Sequence, residues 1–256
     1  MLTHIDLNSD MGEEDQPDGL AIDKAMMPFI TSVNIACGGH AGSPSLMRRT
    51  ARLASRYGLA IGAHPGFPSK AQFGRSPEER APEEIEHLVA EQIKVLTDVL
   101  EQERLCLSHV KPHGALYNMA AFDEEIALAI VQAIGRTDRT LLLYVLAGST
   151  FARVAQGAGL TVVQEAFCDR AYRSDGSLVP RSEPGALLTS EEAVRRQLHQ
   201  LLEGSVTSIE GVQLPMNADS LSLHSDTPKA VALAKMIQQE ITNAGIVLIA
   251  PGQRYA

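Results

Sequence analysis

Lysine and arginine are absent before Lys24, although Asp6, Asp10, Glu13, Glu14, Asp15, Asp18 and Asp23 all precede it. With a net charge of −9 over 256 residues, nucleic acid is excluded as the main partner. There is no C-x-x-C pair: Cys37, Cys106 and Cys168 sit apart in apolar or mixed segments, and they read as free thiols of a reducing compartment. Long hydrophobic runs are missing too. The longest, Leu141 to Ala147, falls far short of the ~20 residues a membrane span needs. No basic-plus-apolar leader precedes Thr3, so a cytoplasmic protein without a membrane partner is expected. Finally, no Gly/Ser tract, charge block or tandem repeat divides the chain, which points to one domain over residues 1–256 exposing about 11,000 Å² when folded.

What is present is an alternation of short β-rich runs and amphipathic helical windows, the pattern of βα units around a parallel sheet. Strands are expected at Thr3–Leu7, Ser32–Cys37, Leu59–Ala63, Leu107–Lys111, Thr140–Leu146, Leu160–Ala166 and Ser220–His224, with Ile246–Ile249 as a possible eighth. Ser43-Pro44 marks a helix start that Gly58 ends. From Pro82, Ile85, Val89, Ile93, Leu96 and Leu100 make one apolar stripe. Thr189 and Glu192 have capping-box spacing, and Asp226-Thr227-Pro228 is expected to open the last long helix.

Seven or eight such units fit a closed (β/α) barrel or an open doubly wound sheet. Loop chemistry favours the barrel. Gly38-Gly39-His40-Ala41-Gly42 lacks the G-x-x-x-x-G-K pattern, and Gly157-Ala158-Gly159 precedes a strand, so neither is a phosphate loop. The chemistry-bearing residues sit instead at strand ends, where barrel enzymes build their sites.

In the first strand, period-two alternation places His4, Asp6 and Asn8 on one face and Ile5 and Leu7 on the other. Asp6-x-Asn8-x-Asp10 is not a calcium loop, because Met11 and Pro17 stand where glycine and glutamate are required. Further along, Asn34 leads into a turn presenting His40 before a helix N-terminus, a place for an anion. His64 ends a strand, and Arg75 follows in a loop with the fork to clamp a carboxylate or phosphate. In His109-Val110-Lys111-Pro112-His113, alternation aims the three polar side chains to one side. His109 and His113 lie roughly 13 Å apart in extended chain, poorly placed for one ion, whereas Lys111 and His113 read as an electrophile and acid/base pair. Glu165 ends an apolar strand, Asp169 and Arg170 are candidates to pair with each other, and His224 ends the seventh strand. So many titratable groups at one end of a sheet point to acid/base chemistry.

The series Asp6-Leu7-Asn8, Asp10, Gly12-Glu13, Asn34-Ile35-Ala36-Cys37-Gly38, His40-Ala41-Gly42, Gly62-Ala63-His64-Pro65, Phe73-Gly74-Arg75, Val110-Lys111-Pro112-His113-Gly114-Ala115-Leu116-Tyr117-Asn118, Asp169-Arg170 and Gly176-Ser177-Leu178-Val179-Pro180-Arg181 closely resembles the LamB/YcsF family, the A subunits of bacterial ATP-dependent 5-oxoprolinase. The resemblance covers essentially the whole chain. Ser43, Ser69 and Ser225 depart from it, standing where aspartate, aspartate and glycine are usual. It implies an irregular seven-stranded TIM-like barrel, similar to the glycoside hydrolase/deacetylase superfamily. It also implies ATP-driven opening of 5-oxoproline to L-glutamate in a complex with subunits B and C. ATP would be a co-substrate of the complex, phosphorylating the lactam on the partner subunits, and this chain would open the ring.

On that reading Asp10 or Glu13 with His64 activates water, Lys111 stabilises the developing negative charge and His113 protonates the leaving nitrogen. Asp6, Asn8, Asn34, His40, Arg75, Asp169, Arg170 and His224 bind substrate. Two other readings stay open: a metal-dependent deacetylase or amidohydrolase with Asp10, His40 and His64 as ligands, and a non-catalytic regulatory subunit.

Overall fold

A computed structural model describes residues 2–14 and 16–253. The elements follow in chain order: β1 (His4–Met11), α1 (Pro17–Met26), β2 (Ser32–Ala36), α2 (Pro44–Arg56), β3 (Ala60–His64), α3 (Pro82–Gln102), β4 (His109–Val110), α4 (Gly114–Ala120) and α5 (Glu124–Thr137). Then come β5 (Leu142–Leu146), α6 (Thr150–Gly157), β6 (Val162–Phe167), α7 (Glu191–Leu202), β7 (Ser205–Thr207), β8 (Gln213–Pro215), β9 (Ser220–Ser222), α8 (Ala230–Asn243) and β10 (Val247–Leu248). The strand order β1-β2-β3-β4-β5-β6-β9 closes on itself through β9 pairing with β1, all parallel, which makes the expected seven-stranded barrel.

The eighth strand candidate exists but does not enter the barrel. β10 pairs with His4 and Ile5 at the start of β1, and β9 takes over the same edge at Asp6. An antiparallel hairpin, β7 with β8, was not anticipated. The fourth strand, His109–Val110, is also shorter than expected, and the chain runs on through Pro112 into α4. Among the described residues, no helix is long and apolar enough to cross a membrane.

Helix starts follow local chemistry. The Ser43 hydroxyl accepts the Leu46 N–H with Pro44 at the first helical position, as read from sequence. Two starts differ. α7 is capped by Ser190, whose side chain accepts from Ala193 N–H, rather than by a Thr189–Glu192 box. Asp226 opens no helix: α8 begins at Ala230 after Lys229 in the left-handed region, while Asp226 pairs with Arg75 and Arg181.

The core has two parts. Outward-facing strand residues such as Ile5, Leu7, Val33, Ile61 and Val145 pack against helix faces carrying Met47, Val89, Ile93, Ile130 and Ile237, all buried. The barrel interior is instead polar: Asp6, Asn8, Ser32, Asn34, His109, Lys111, Glu165, Ser220 and Ser222 are buried there. The exposed surface, 11310 Å², matches that expected for a compact chain of this length.

Candidate functional site

Period two selects which β1 side chains point inward, and register decides how deep each lies. Asp6 stands opposite Ser220, Asn8 opposite Ser32 and Ser222, and Asp10 opposite Asn34. Asp6, expected to bind substrate, therefore lies at the closed end of the barrel. Its oxygens accept from Thr31 (2.6 Å), Ser32 (2.7 Å), Tyr144 (3.0 Å) and Ser220, and burial raises its pKa despite those donors. Asn34, also expected to touch substrate, is likewise occupied. Its amide donates to Asn8 Oδ1 and Asp10 Oδ1, both 2.8 Å, and its oxygen accepts from His109 Nε2 at 2.8 Å. His109 fits because Gly62 has no side chain; a Cβ there would lie 2.1 Å from the ring. Burial, reinforced by the Lys111 charge, lowers the His109 pKa to about 3, so this ring is a neutral structural donor.

Above this layer stands Lys111, 2% exposed. Its ammonium lies 2.8 Å from Glu165 Oε1, 3.0 Å from Asp10 Oδ1 and 3.1 Å from both Asn8 Oδ1 and Ser222 Oγ. Burial works against its charge, but Asp10 and Glu165 outweigh burial and raise its pKa. Burial likewise works against an ionised Asp10, and His64 and Lys111 reverse it, holding that carboxyl well below its usual range. Glu165, read from sequence only as a strand end, belongs to this cluster as well. It is fully buried, bound to Asn8 (2.8 Å) and Tyr117 (2.8 Å) as well as Lys111. A carboxylate at the end of an otherwise apolar strand was the available signal, since burying it without a cation is costly.

His224 and Asp169 form a second unit. Asp169 does not pair with Arg170. Its carboxylate takes the His224 ring Nδ1 at 3.0 Å, the His224 backbone N–H at 3.1 Å and the Thr227 hydroxyl at 2.5 Å. Burial opposes its ionisation, but these partners lower its pKa to about 2. His224 Nε2 is left facing the cavity, 3.9 Å from Asp10 Oδ2. Arg170 instead donates to the Val179 carbonyl at 2.7 Å. Burial and the nearby Arg181 charge lower its pKa to about 10.

A third unit gathers His64, His113, His40 and Glu13. The His64 and His113 rings meet Nε2 to Nδ1 at 2.9 Å, and His40 stacks on His113 with centroids 3.7 Å apart. His40 is therefore buried against His113 and does not present its turn to an anion. This stack needs Gly74, in the left-handed region at φ 60, where a Cβ would press the His40 Cβ at 2.8 Å. Phe73 just before it also has positive φ, 53, an uncommon conformation for a bulky side chain, and its carbonyl accepts from His113 Nε2 at 2.9 Å. Both His113 nitrogens are thus engaged, so the structure does not present His113 as the free proton donor expected from sequence.

Asp10, His64, Lys111, His113, Phe167, His224 and the arginines 75, 170 and 181 line one cavity of about 600 Å³ at the C-terminal end of the strands. Arg75 and Arg181 share Asp226, at 2.7 and 3.0 Å, across its mouth. Of the three departures from the family pattern, Ser43 caps α2 and the Ser225 hydroxyl donates to the Asp10 carbonyl at 3.1 Å. The Ser69 hydroxyl donates to Gln72, and its carbonyl accepts the Gly74 N–H at 2.9 Å.

The LamB/YcsF family model matches residues 5–255. A protein from Geobacillus thermodenitrificans, named as the A subunit of 5-oxoprolinase, is 47% identical over 245 residues, 95% of each chain. One of the same name from Heliobacterium modesticaldum is 46% identical over 251 residues, 98% of this chain and 99% of the other. The crystal structure of a lactam utilization protein from Thermus thermophilus superposes with a TM-score of 0.88 at 41% identity, covering 97% of this chain and all of the other. With the family pattern matched from the first strand to the last, the chain belongs to the LamB/YcsF family.

Proposed function

We propose that this chain is the ring-opening subunit of an ATP-dependent 5-oxoprolinase, a hydrolase acting on a cyclic amide. It works as a single barrel domain in the cytoplasm beside subunits B and C. The observation that carries the reading is one cavity joining a buried ammonium, an ionised aspartate and a carboxylate-oriented histidine beneath an arginine rim. Relatives named for 5-oxoprolinase and for lactam utilization support the substrate class.

A five-membered lactam is a poor electrophile, so ATP is used on the partner subunits to phosphorylate the amide oxygen. In this chain, Arg75, Arg170 and Arg181 receive the anionic groups. Water adds to the activated ring carbon. Asp10, with Glu13 and His64 beside it, orients that water and takes its proton; once bonded to carbon, the water oxygen is acidic enough for a low-pKa carboxylate to accept. Lys111 offsets the negative charge that builds on the adduct. The ring C–N bond then breaks, its electron pair goes to nitrogen, and His224 relays to it the proton that Asp10 took from the water: Asp169 holds the Nδ1 hydrogen, so Nε2, 3.9 Å from Asp10 Oδ2, takes that proton and gives it up. The resulting acyl phosphate hydrolyses to L-glutamate and inorganic phosphate.

The test is glutamate formation from 5-oxoproline and ATP by the two matching partner subunits, with and without this chain. Glutamate that requires the chain is the expected result. None from a folded, assembled complex would overturn the reading.

A further inference from the structure

Two hydrogen bonds fix the protons of the histidine cluster. A carbonyl oxygen only accepts, so His64 Nδ1 carries the hydrogen directed at the Lys111 carbonyl (2.7 Å), and His113 Nε2 carries the one directed at the Phe73 carbonyl (2.9 Å). The remaining nitrogens, His64 Nε2 and His113 Nδ1, face each other at 2.9 Å. In two neutral rings both present bare lone pairs, an arrangement that repels unless a cation lies between them.

The distances suit a metal ion. Ligands 2.0–2.1 Å from a tetrahedral ion lie about 3.3 Å from one another. Glu13 Oε1 is 3.6 Å from His113 Nδ1, 3.9 Å from His64 Nε2 and 3.1 Å from His40 Nε2. One ligand atom from each of the four residues falls within a span of 4.8 Å. The backbone carbonyls holding the far nitrogens of His64 and His113 are the outer partners that aim histidine ligands at a metal and fix their tautomer.

We propose that Glu13, His40, His64 and His113 form a binding site for a divalent transition-metal ion of the zinc class, for which imidazole and carboxylate are apt donors. His64 and His113 also line the cavity, so the ion supplies Lewis-acid polarisation at its floor. The site stands on side-chain geometry and goes beyond the lactam reading.

The experiment uses the purified full chain, stripped with a chelator and dialysed against zinc alone or cobalt(II) alone. It is expected to retain about one ion per chain by elemental analysis, and the cobalt form to show the intense visible absorption of four-coordinate nitrogen and oxygen ligation. Affinity should fall by at least about tenfold in His113→Ala and Glu13→Gln, and stay unchanged in His199→Asn, a surface histidine paired with Glu240. Should the variants not fold, the wild-type cobalt spectrum and a zinc-dependent rise in melting temperature still report on the site. No retained ion, or a weak octahedral spectrum, would overturn it, as would retention equal in folded variants and wild type. A tightly held ion without glutamate formation upholds the site and counts against the lactam reading. An ion-free chain in an active complex does the reverse.

Discussion

The barrel interior and the shell around it are built from the same strands and have opposite chemistry. Around β1, Ile5 and Leu7 join the apolar shell, while Asp6, Asn8 and Asp10 face an interior whose groups are bonded to one another. Barrel interiors are usually filled with branched apolar side chains. Here the filling is a hydrogen-bonded column rising from Asp6 through Ser220, Asn8 and Glu165 to Lys111 and Asp10. The shell supplies most of the burial that holds the fold. The column supplies little net stability, since buried polar groups only recover what desolvation costs, but it places each charged group at the cavity floor with its partners already chosen.

Breaking the column should be felt first in turnover. Lys111→Met is expected to lower glutamate formation by the reconstituted complex at least about 10³-fold. It should also cost roughly 3–5 kcal/mol in denaturant unfolding, because Asp10 and Glu165 lose their cation. Adding Glu165→Gln should restore part of that stability and none of the activity; near-normal turnover by the folded single variant would remove Lys111 from the mechanism. Next, His224→Gln should reduce kcat by about 10² to 10⁴ with KM little changed. A drop in KM-dependent binding alone would make His224 a substrate contact instead.

The shell answers differently. Ile130→Ala, fully buried on α5, should cost roughly 2–5 kcal/mol by chemical denaturation and leave kcat per folded molecule unchanged. A loss of kcat there would mean that the shell sets site geometry.

The smallest effect lies at the edge between the two regions. Asp23 accepts the Gly12 N–H, and burial, aided by Glu13 and Glu14, raises its pKa from 3.8 to about 7. The native state therefore keeps a proton that the unfolded chain releases. This contribution is fully present below about pH 4 and is lost as pH rises toward 7. Asp23→Asn should gain stability over wild type across that window and keep the gain at higher pH. Parallel pH–stability curves for the two proteins would refute it.

The strand–helix alternation, the barrel and the inward face of β1 were legible because period two and period 3.6 leave direct marks. Depth was not legible. Asp6 and Asp10 share a face, yet only register tells that Asp6 ends among hydroxyls and Asp10 at the cavity. Pairings across long separations were also hidden: Asp169 has Arg170 beside it in sequence and chooses His224, 55 residues on. His40 reads as part of a turn until Gly74 lets it stack on His113. The pinned tautomers depend on backbone carbonyls, which leave no mark in the identity of the residues that carry them.

Closure through β9 has a consequence for how the protein comes into being. Ser9 bonds to the Leu223 carbonyl, 214 positions away, and the site takes Asp10 from the first strand, Glu165 from β6, and Lys111 and His224 from just beyond the ends of β4 and β9. Contacts of such separation form late in folding. On the ribosome, β1 emerges first and must wait for β9 with its acidic inner face unpaired. The Ser220 and Ser222 bonds of the column and the approach of His224 to Asp10 then form in the same step that seals the barrel, so a chain arrested before that step lacks the proton-relaying side of the site.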